Sequence, residues 1–354
     1  MPFKAFLLIT VAATCVFGTG YMLSAENTGA FLWLNQMFSS QPITVPRASD
    51  TQSLKASSPL QQPPSNNPLG FMMTNVAEQY SESVRYPLWS VPLTPEQVRG
   101  YQGNQYEPVD LPLGNGGHFK VSLEKFRFTR GQPILIVASV QGPQIVGDTL
   151  DATLETPASR DKVRSTTLTA TNTSGYYEGT LSSDEDPGEY RLIVEANVDG
   201  KTVRHASSLT IEPYLGDFEG LDDSYISNNN LVIPVHFSPE SAGFYALSAQ
   251  LYDGQTPIAQ LQTEQRLDMG SDTLKLKAHG TVLANRKIEG KLTLRHLQLR
   301  QLPARPGDRT NYAYGPDDGY SFSPPNLDTL RDTPVVNPES EQRAALLKRL
   351  AAKL

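Results

Sequence analysis

Tyr190, Leu192, Val194 and Ala196 place an apolar side chain at every second position, and the run stops at Asp199-Gly200. A period of two is that of a strand with one buried face. Asp-Gly suits a two-residue hairpin, because both central residues of that turn need positive φ. The same period recurs upstream, in Phe119, Val121 and Leu123, in Leu150, Ala152 and Leu154, and in Leu168 and Ala170. Ile134-Leu135-Ile136-Val137-Ala138 is short, β-branched and nearly continuous, as in a strand inside a sandwich. Phe126 and Phe128 alternate on the opposite parity to Phe119–Leu123, which predicts a β-bulge within one strand. With Leu209 and Ile211 closing the series, residues 116–213 read as all-β.

About seven short strands in ~100 residues fit an immunoglobulin-like β-sandwich. Asp186-Pro187-Gly188-Glu189-Tyr190-Arg191-Leu192 has the form D-x-G-x-Y-x-Φ. It resembles the tyrosine corner of such folds, in which a Tyr hydroxyl caps a backbone group upstream. Leu192 stands where an antibody domain has its second cysteine, so the disulfide is missing. Gly243-Phe244-Tyr245 followed by Asp253-Gly254 repeats the spacing, which reads as an internal repeat at the period of a small domain. A second sandwich is expected over 214–303. Its strands are Leu231–Phe237, Tyr245–Tyr252, Ile258–Leu261, Thr273–Lys277 and Lys291–Leu299, the last with a parity switch at Arg295-His296.

Several stretches together carry a family resemblance. They are Arg85-Tyr86-Pro87, Pro108-Val109-Asp110-Leu111-Pro112-Leu113, Gly243-Phe244-Tyr245, Leu251-Tyr252-Asp253-Gly254, Ile258-Ala259 and Gly290-Lys291-Leu292-Thr293-Leu294. From Tyr86 to Leu302 the chain is similar to an uncharacterised family of exported bacterial proteins with tandem immunoglobulin-like modules. The resemblance implies the fold and export; it implies no catalytic residue.

The N-terminus points the same way. Lys4 precedes an apolar run from Phe6 to Phe17 that continues to Leu23, the pattern of an export signal. Gly18-Thr19-Gly20 offers a cleavage site, leaving a signal peptide. Alternatively Ala5–Leu23, ~19 residues, is long enough to span a bilayer as an uncleaved transmembrane anchor. Phe31-Leu32-Trp33-Leu34 with Met37-Phe38 suits a membrane interface and favours the anchor. Either outcome, over 1–27, places the rest outside the cytoplasm, in the periplasm, with the inner membrane as a partner if the anchor stays. A lipoprotein reading fails, because Thr14 is bulky before Cys15 and apolar residues continue past it. Residues 28–70 add that apolar patch and a Pro/Ser/Gln-rich linker, too polar to offset its ordering entropy. Residues 71–115 form an N-terminal extension. In it Thr94 and Pro95 predict the N-cap and first position of a short helix, and Tyr86 and Trp89 are expected to pack on the first sandwich.

The chemistry-bearing residues are dispersed. A formal net charge of −7 argues against a nucleic-acid binder, which needs a basic face. The one cysteine, Cys15, rules out disulfides and a thiol nucleophile in the body of the chain. His118, His205, His236, His279 and His296 have no second metal ligand at a recognised spacing, and the nucleotide-binding and hydrolase-elbow motifs are absent. No catalytic, cofactor or metal residue is assigned. Asp217, Glu219, Asp222 and Asp223 with Asn228-Asn229-Asn230 read as a solvated interdomain turn, with an oxygen-rich calcium site as the alternative. Asp184-Glu185-Asp186 fits the turn before Tyr190. Residues 304–354 read as loop and then an amphipathic helix. Asn337 is its N-cap and Pro338 its first residue; Leu346, Leu347, Leu350 and Leu354 form a stripe opposite Lys348, Arg349 and Lys353. That helix either docks on its own domain or binds a protein partner. The expectation is a membrane-tethered, non-catalytic binding or scaffold protein. A carbohydrate-binding module would need exposed rings at Tyr312, Tyr314 and Tyr320, or at Tyr176 and Tyr177. An enzyme would need a pocket joining two carboxylates, or a histidine with a carboxylate.

Overall fold

The computed structural model describes residues 68–142, 147–335 and 338–351. The signal or anchor, the apolar patch with nearly all of the linker, and the Asn337 cap lie outside them. Among the described residues no helix is long and apolar enough to cross a membrane. Residues 73–353 form one compact unit, which holds both sandwiches.

The chain enters through α1 (Pro68–Ser83), β1 (Ser90–Pro92), α2 (Pro95–Arg99) and β2 (Asp110–Pro112). Helix α1 begins at Pro68, so its first three residues fall inside the segment read as linker. α2 starts as its sequence predicts: the Thr94 hydroxyl accepts from Gln97 N–H, and the Gln97 side chain returns to Thr94 N–H in a capping box.

The first sandwich contains β3 (His118–Leu123), β4 (Arg127–Thr129), β5 (Pro133–Gln141), β6 (Thr149–Glu155), β7 (Lys162–Ala170), β8 (Tyr176–Ser182), β9 (Gly188–Val198) and β10 (Lys201–Glu212). One layer runs β2-β3-β5-β8 and the other β7-β6-β9-β10-β4, joined where the ends of β7 and β8 pair. Alternating residues of both layers meet in the core: Phe119, Val121, Ile134, Ile136, Leu154, Leu192 and Ile211 are fully enclosed. β5 buries only one face, and Leu135 stays exposed, so its near-continuous apolar run does not mark a strand covered on both sides.

The two parity switches have different causes. Between Leu123 and Phe128 there is no bulge. β3 ends, and β4 crosses to the other layer to pair in parallel with β10. The switch re-aims Phe128 into the same core from the opposite sheet. At Arg295-His296 there is a bulge: the pairing shifts register opposite Ser248 and Gln250, and His296 takes φ 53°. That keeps Leu294 and Leu297 both buried.

The second sandwich contains β11 (Gly216–Leu221), β12 (Tyr225–Ser227), β13 (Asn230–Pro239), β14 (Gly243–Asp253), β15 (Thr256–Leu267), β16 (Asp272–His279), the short helix α3 (Gly280–Leu283), β17 (Leu292–Gln301), β18 (Asn311–Tyr314) and β19 (Tyr320–Phe322). β11 and β12 share one edge of β13, and β16 takes the other. The facing sheet runs β1-β15-β14-β17, with β18 and β19 along the far edge of β17. Residues after Leu302 are therefore not all loop: two strands complete a sheet, and Ala313 and Leu330 join the core. α4 (Pro338–Ala351) follows.

Both tyrosine corners form. The Tyr190 hydroxyl donates to Asp186 C=O and the Tyr245 hydroxyl to Ser241 C=O, each at 2.7 Å. They sit on non-equivalent strands. By pairing, β9 corresponds to β17, whereas β14, which carries Tyr245, corresponds to β6. The recurrence is a repeated strand-entry device on different strands, rather than an aligned copy of one domain.

Candidate functional site

The N-terminal extension departs furthest from expectation. Tyr86 packs on the second core, Trp89 Nε1 donates to Asn230 Oδ1 at 3.3 Å, and β1 pairs with Ala259–Leu261 of β15. These aromatics belong to the second sandwich, not the first. Continuing, Tyr101 lies against the outer face of the second sandwich, its ring 5.0 Å from that of His296. Burial beside Tyr314 and Tyr252 pushes its hydroxyl pKa up to about 12. The chain then crosses to the first sandwich. Asn104 exchanges two hydrogen bonds with the backbone of Arg127, at 2.7 and 2.9 Å, and β2 pairs with β3. The extension is thus a strap hydrogen-bonded to both sandwiches.

Where the strap crosses, Glu212 ends β10 with 1% of its side chain exposed. Arg127 of β4 and Arg309 of the β17–β18 connection (2.9 Å) both pair with its Oε1. Tyr312 N–H points at Oε2 from 3.4 Å. The Arg127 guanidinium also lies 4.3 Å from the centre of the Tyr312 ring. A carboxylate taken out of water this completely is tolerable only when paired and hydrogen-bonded. Its partners come from both sandwiches, so this group fixes one against the other. Sequence reading missed it, because Glu212 lies on the outward parity of β10 and Arg309 is distant in the chain.

A second polar cluster closes the far end of the second sandwich. Asn228 and Asn229, at φ 49° and 59°, make the two-residue turn between β12 and β13. Asn tolerates the left-handed region, which explains the asparagine run without a cation. Asn229 Oδ1 accepts from Arg331 N–H (2.8 Å) and its Nδ2 donates to Arg331 C=O (2.9 Å). Asn229 Nδ2 also faces His279 Nε2 at 3.4 Å. His279 is buried and its pKa is lowered by that burial, which outweighs the opposing pull of Asp332. Arg85 of the strap pairs with Asp332 of the tail, and Asn285 donates to the same carboxylate at 3.1 Å.

The acidic run divides: Asp222 and Asp223 line one depression, and Asp217 and Glu219 have partners of their own. Asp217 accepts from the Tyr214 hydroxyl, Glu219 from Ser271 Oγ (2.8 Å), and Asp222 pairs with His236 (2.8 Å). Among the described residues no group of three or more His, Cys, Asp or Glu is placed to hold a metal ion. Asp222, Asp223, Asp272, Thr273 and Lys275 line an open depression of about 530 Å³, and His236 Nδ1 lies 3.3 Å from Thr273 Oγ1. Thr273 sits within β16, and its N–H is taken by Asp272 Oδ1. Asp184, Glu185 and Asp186 engage Ser182, Arg164 and Arg130 around the first corner. His205 is buried against Phe119, with Nε2 at 2.8 Å from Val109 C=O, and His118 is exposed.

The rings proposed as a sugar platform form no exposed row: Tyr176, Tyr312, Tyr314 and Tyr320 are half-buried. Tyr177 is buried, Tyr312 packs under Arg127, and the Tyr314 and Tyr320 hydroxyls bond to Gln298 and to Phe218 C=O. By contrast α4 buries no residue, and Leu346 and Leu350 are 56% and 42% exposed.

No protein-family model matches the chain, and no curated protein does. Solved structures do. A DUF4785 family protein from Legionella pneumophila is 16% identical, with a TM-score of 0.39; the match covers 60% of this chain and 58% of that one. A Salmonella alpha-2-macroglobulin mutant is 11% identical over 59% of this chain and 15% of its own, with a TM-score of 0.30. For a trypsin-activated Escherichia coli alpha-2-macroglobulin the figures are 11%, 64%, 16% and 0.24. The chain therefore spans less than two thirds of each of these proteins, and nothing about its chemistry follows from them. What its own residues establish is a β-rich pair of immunoglobulin-like sandwiches.

Proposed function

We propose that this chain is a non-catalytic scaffold, held outside the cytoplasm by its N-terminus, that presents its C-terminal helix to a protein partner. One observation carries the reading: α4, a helix of 14 residues, buries none of them, and its Leu346 and Leu350 are exposed. An amphipathic helix with an uncovered apolar stripe is a form that helix-in-groove recognition uses. The strap and the Glu212 clamp support the scaffold half, since they hold two sandwiches as one body. The export half rests on Lys4 and the apolar run behind it. The non-catalytic half rests on the sequence, which carries neither the nucleotide-binding nor the hydrolase-elbow motif.

The test is site-specific photo-crosslinking in the native cell envelope. A photoreactive residue replacing Leu347 should give a discrete adduct that a substitution at Lys162, on β7, does not. Removing residues 338–354 should abolish recruitment of the cross-linked protein. No adduct, or the same adducts from both positions, refutes the reading.

A further inference from the structure

β10 is longer than its neighbour β4, and the two pair in parallel only at Thr210, Ile211 and Glu212. Thr210 N–H donates to Phe126 C=O (3.0 Å) and Glu212 C=O accepts from Arg130 N–H (2.8 Å). The even-numbered residues of β10 thus turn their backbone groups away from β9. Residues 201–211 pair with β9 without a shift of register, so the alternation runs unbroken. Thr202, Arg204, Ala206 and Ser208 therefore aim N–H and C=O out of the sheet edge, and among the described residues no partner meets them. All four are exposed, whereas His205 and Ser207 between them are buried.

An open strand edge is a template for a further strand, and folded proteins blunt it with charge, proline or a bulge. The second sandwich follows that rule. Past β1 the open positions of β15 are Glu264 and Arg266, and past Ser90 those of β16 are Lys275 and Lys277. β10 has neither proline nor bulge, and Thr202, Ala206 and Ser208 are small and uncharged. Arg204 is drawn back across the sheet to Glu195 of β9, at 2.6 Å. On the core side of this edge, Val109 C=O lies 2.8 Å from His205 Nε2, and Val109 is 67% exposed. A strand laid along β10 would turn every second side chain toward this valine.

A second copy of β10 fits poorly. The antiparallel register that uses all four open residues sets the copy's Lys201 beside Leu209, where the chain entering β4 already lies. Shifting it by two residues sets the two Arg204 side chains opposite each other, and like charges so placed repel. We propose that the Thr202–Ser208 edge of β10 is a strand-addition site, and that its occupant is an extended segment of another protein with apolar side chains at alternate positions. Main-chain hydrogen bonds hold that segment, and Val109 selects its inward side chains. The site is separate from α4 and does not depend on it.

Amide exchange followed residue by residue by NMR on the full chain tests this. The probe is a short peptide of alternating valine and threonine with a lysine at each end. In the free protein the amides of Thr202, Arg204, Ala206 and Ser208 should exchange fast, and those of Val203, His205 and Ser207, which face β9, slowly. At about 1 mM the peptide should slow the first set about threefold, the factor given by a Kd of about 0.5 mM, and leave the second set unchanged. The same peptide N-methylated at alternate residues loses the donors that face β10 and should slow nothing. Ala206→Pro removes an edge N–H that bonds nothing within the fold and should abolish the slowing at Thr202, Arg204 and Ser208. No slowing by the unmethylated peptide overturns the proposal, as does equal slowing by the methylated one. Edge amides already slow in the free protein also overturn it: slowing that grows with protein concentration assigns the edge to a second copy, and slowing that does not assigns it to another segment of this chain. If Ala206→Pro fails to fold, the methylated peptide decides.

Discussion

Glu212→Ala is the substitution that tests the junction most sharply. It removes an acceptor that is 1% exposed and shared by Arg127, Arg309 and Tyr312 N–H. A hydrogen bond to a charged group is worth about 1.5–3 kcal/mol, and breaking a buried pair costs about 3–5 kcal/mol. The guanidinium side chains are 26% and 36% exposed, so they can partly rehydrate once freed. That places the loss at the lower end, about 3 kcal/mol. Arg309→Ala removes the more exposed partner and should cost about 1 kcal/mol, because Arg127 still serves the carboxylate. The double variant should cost no more than Glu212→Ala alone, giving a coupling energy of about 1 kcal/mol. Urea unfolding followed by tryptophan fluorescence measures all four corners of this cycle, and small-angle scattering reports whether the sandwiches still hold one orientation. A Glu212→Ala loss below about 0.5 kcal/mol, the usual range for surface substitutions, would show that the carboxylate does not join the sandwiches. Strict additivity of the two substitutions would refute the shared-acceptor argument.

Three further outcomes follow from the same geometry. Tyr245→Phe should cost more than Tyr190→Phe, about 2 against about 1 kcal/mol, because Tyr245 is fully enclosed and also accepts from Gln301 at 3.2 Å whereas Tyr190 is 8% exposed; denaturation curves that reverse this order contradict it. Burial holds the pKa of both His279 and His296 below the usual 6.5. The unfolded chain therefore binds their protons first, so their contribution is complete above pH 6.5 and is lost as pH falls below it; a urea midpoint that rises from pH 7.5 to 5.5 would refute the sign. Removing residues 338–354 should leave the thermal midpoint unchanged within about 1 °C, since surface changes of this kind are worth under about 0.5 kcal/mol, and a larger drop by calorimetry would mean that α4 is docked.

The local devices were legible in the sequence because each is decided by residues near in the chain. Thr94-Pro95 capped a helix, Asp199-Gly200 turned a hairpin with φ of 50° and 74°, and both tyrosines closed back by four residues. Apart from the unread helix α1, the misreadings concern partners distant in the chain. A parity change after Leu123 looks like a bulge until the pairing of β4 with β10 is known, because both solutions re-aim the next side chain inward. Tyr86 and Trp89 precede the first sandwich in sequence, yet their partners are Asn230 and the β15 edge. The Asn228–Asn230 run was visible as an oxygen-rich segment, but what organises it is a left-handed turn and a grip on Arg331, neither of which spacing can reveal. Glu212 carried no signal, since a single outward carboxylate at a strand end is ordinary until two arginines cover it.

The strap alters what counts as a unit in this chain. β1 completes the sheet that β15, β14 and β17 build from residues 243–301, while β2, β3 and the rest of the first sandwich lie between those two pieces of sequence. In connectivity, the first sandwich is an insertion into the second. Closing so long a loop is cheap in entropy, because the cost grows only as the logarithm of its length. The cost falls instead on folding order: β1 has no sheet edge to join until β15 is made, so Ser90–Pro92 waits for residues far behind it. Before then, Tyr86, Trp89 and the outer face that Tyr101 covers are open to water. Once the strap closes, Asn104 and Glu212 are brought to Arg127 together, and the second sandwich cannot lose its first strand without disturbing the anchor of the first. Joint closure of this kind makes two small disulfide-free cores resist opening as one body.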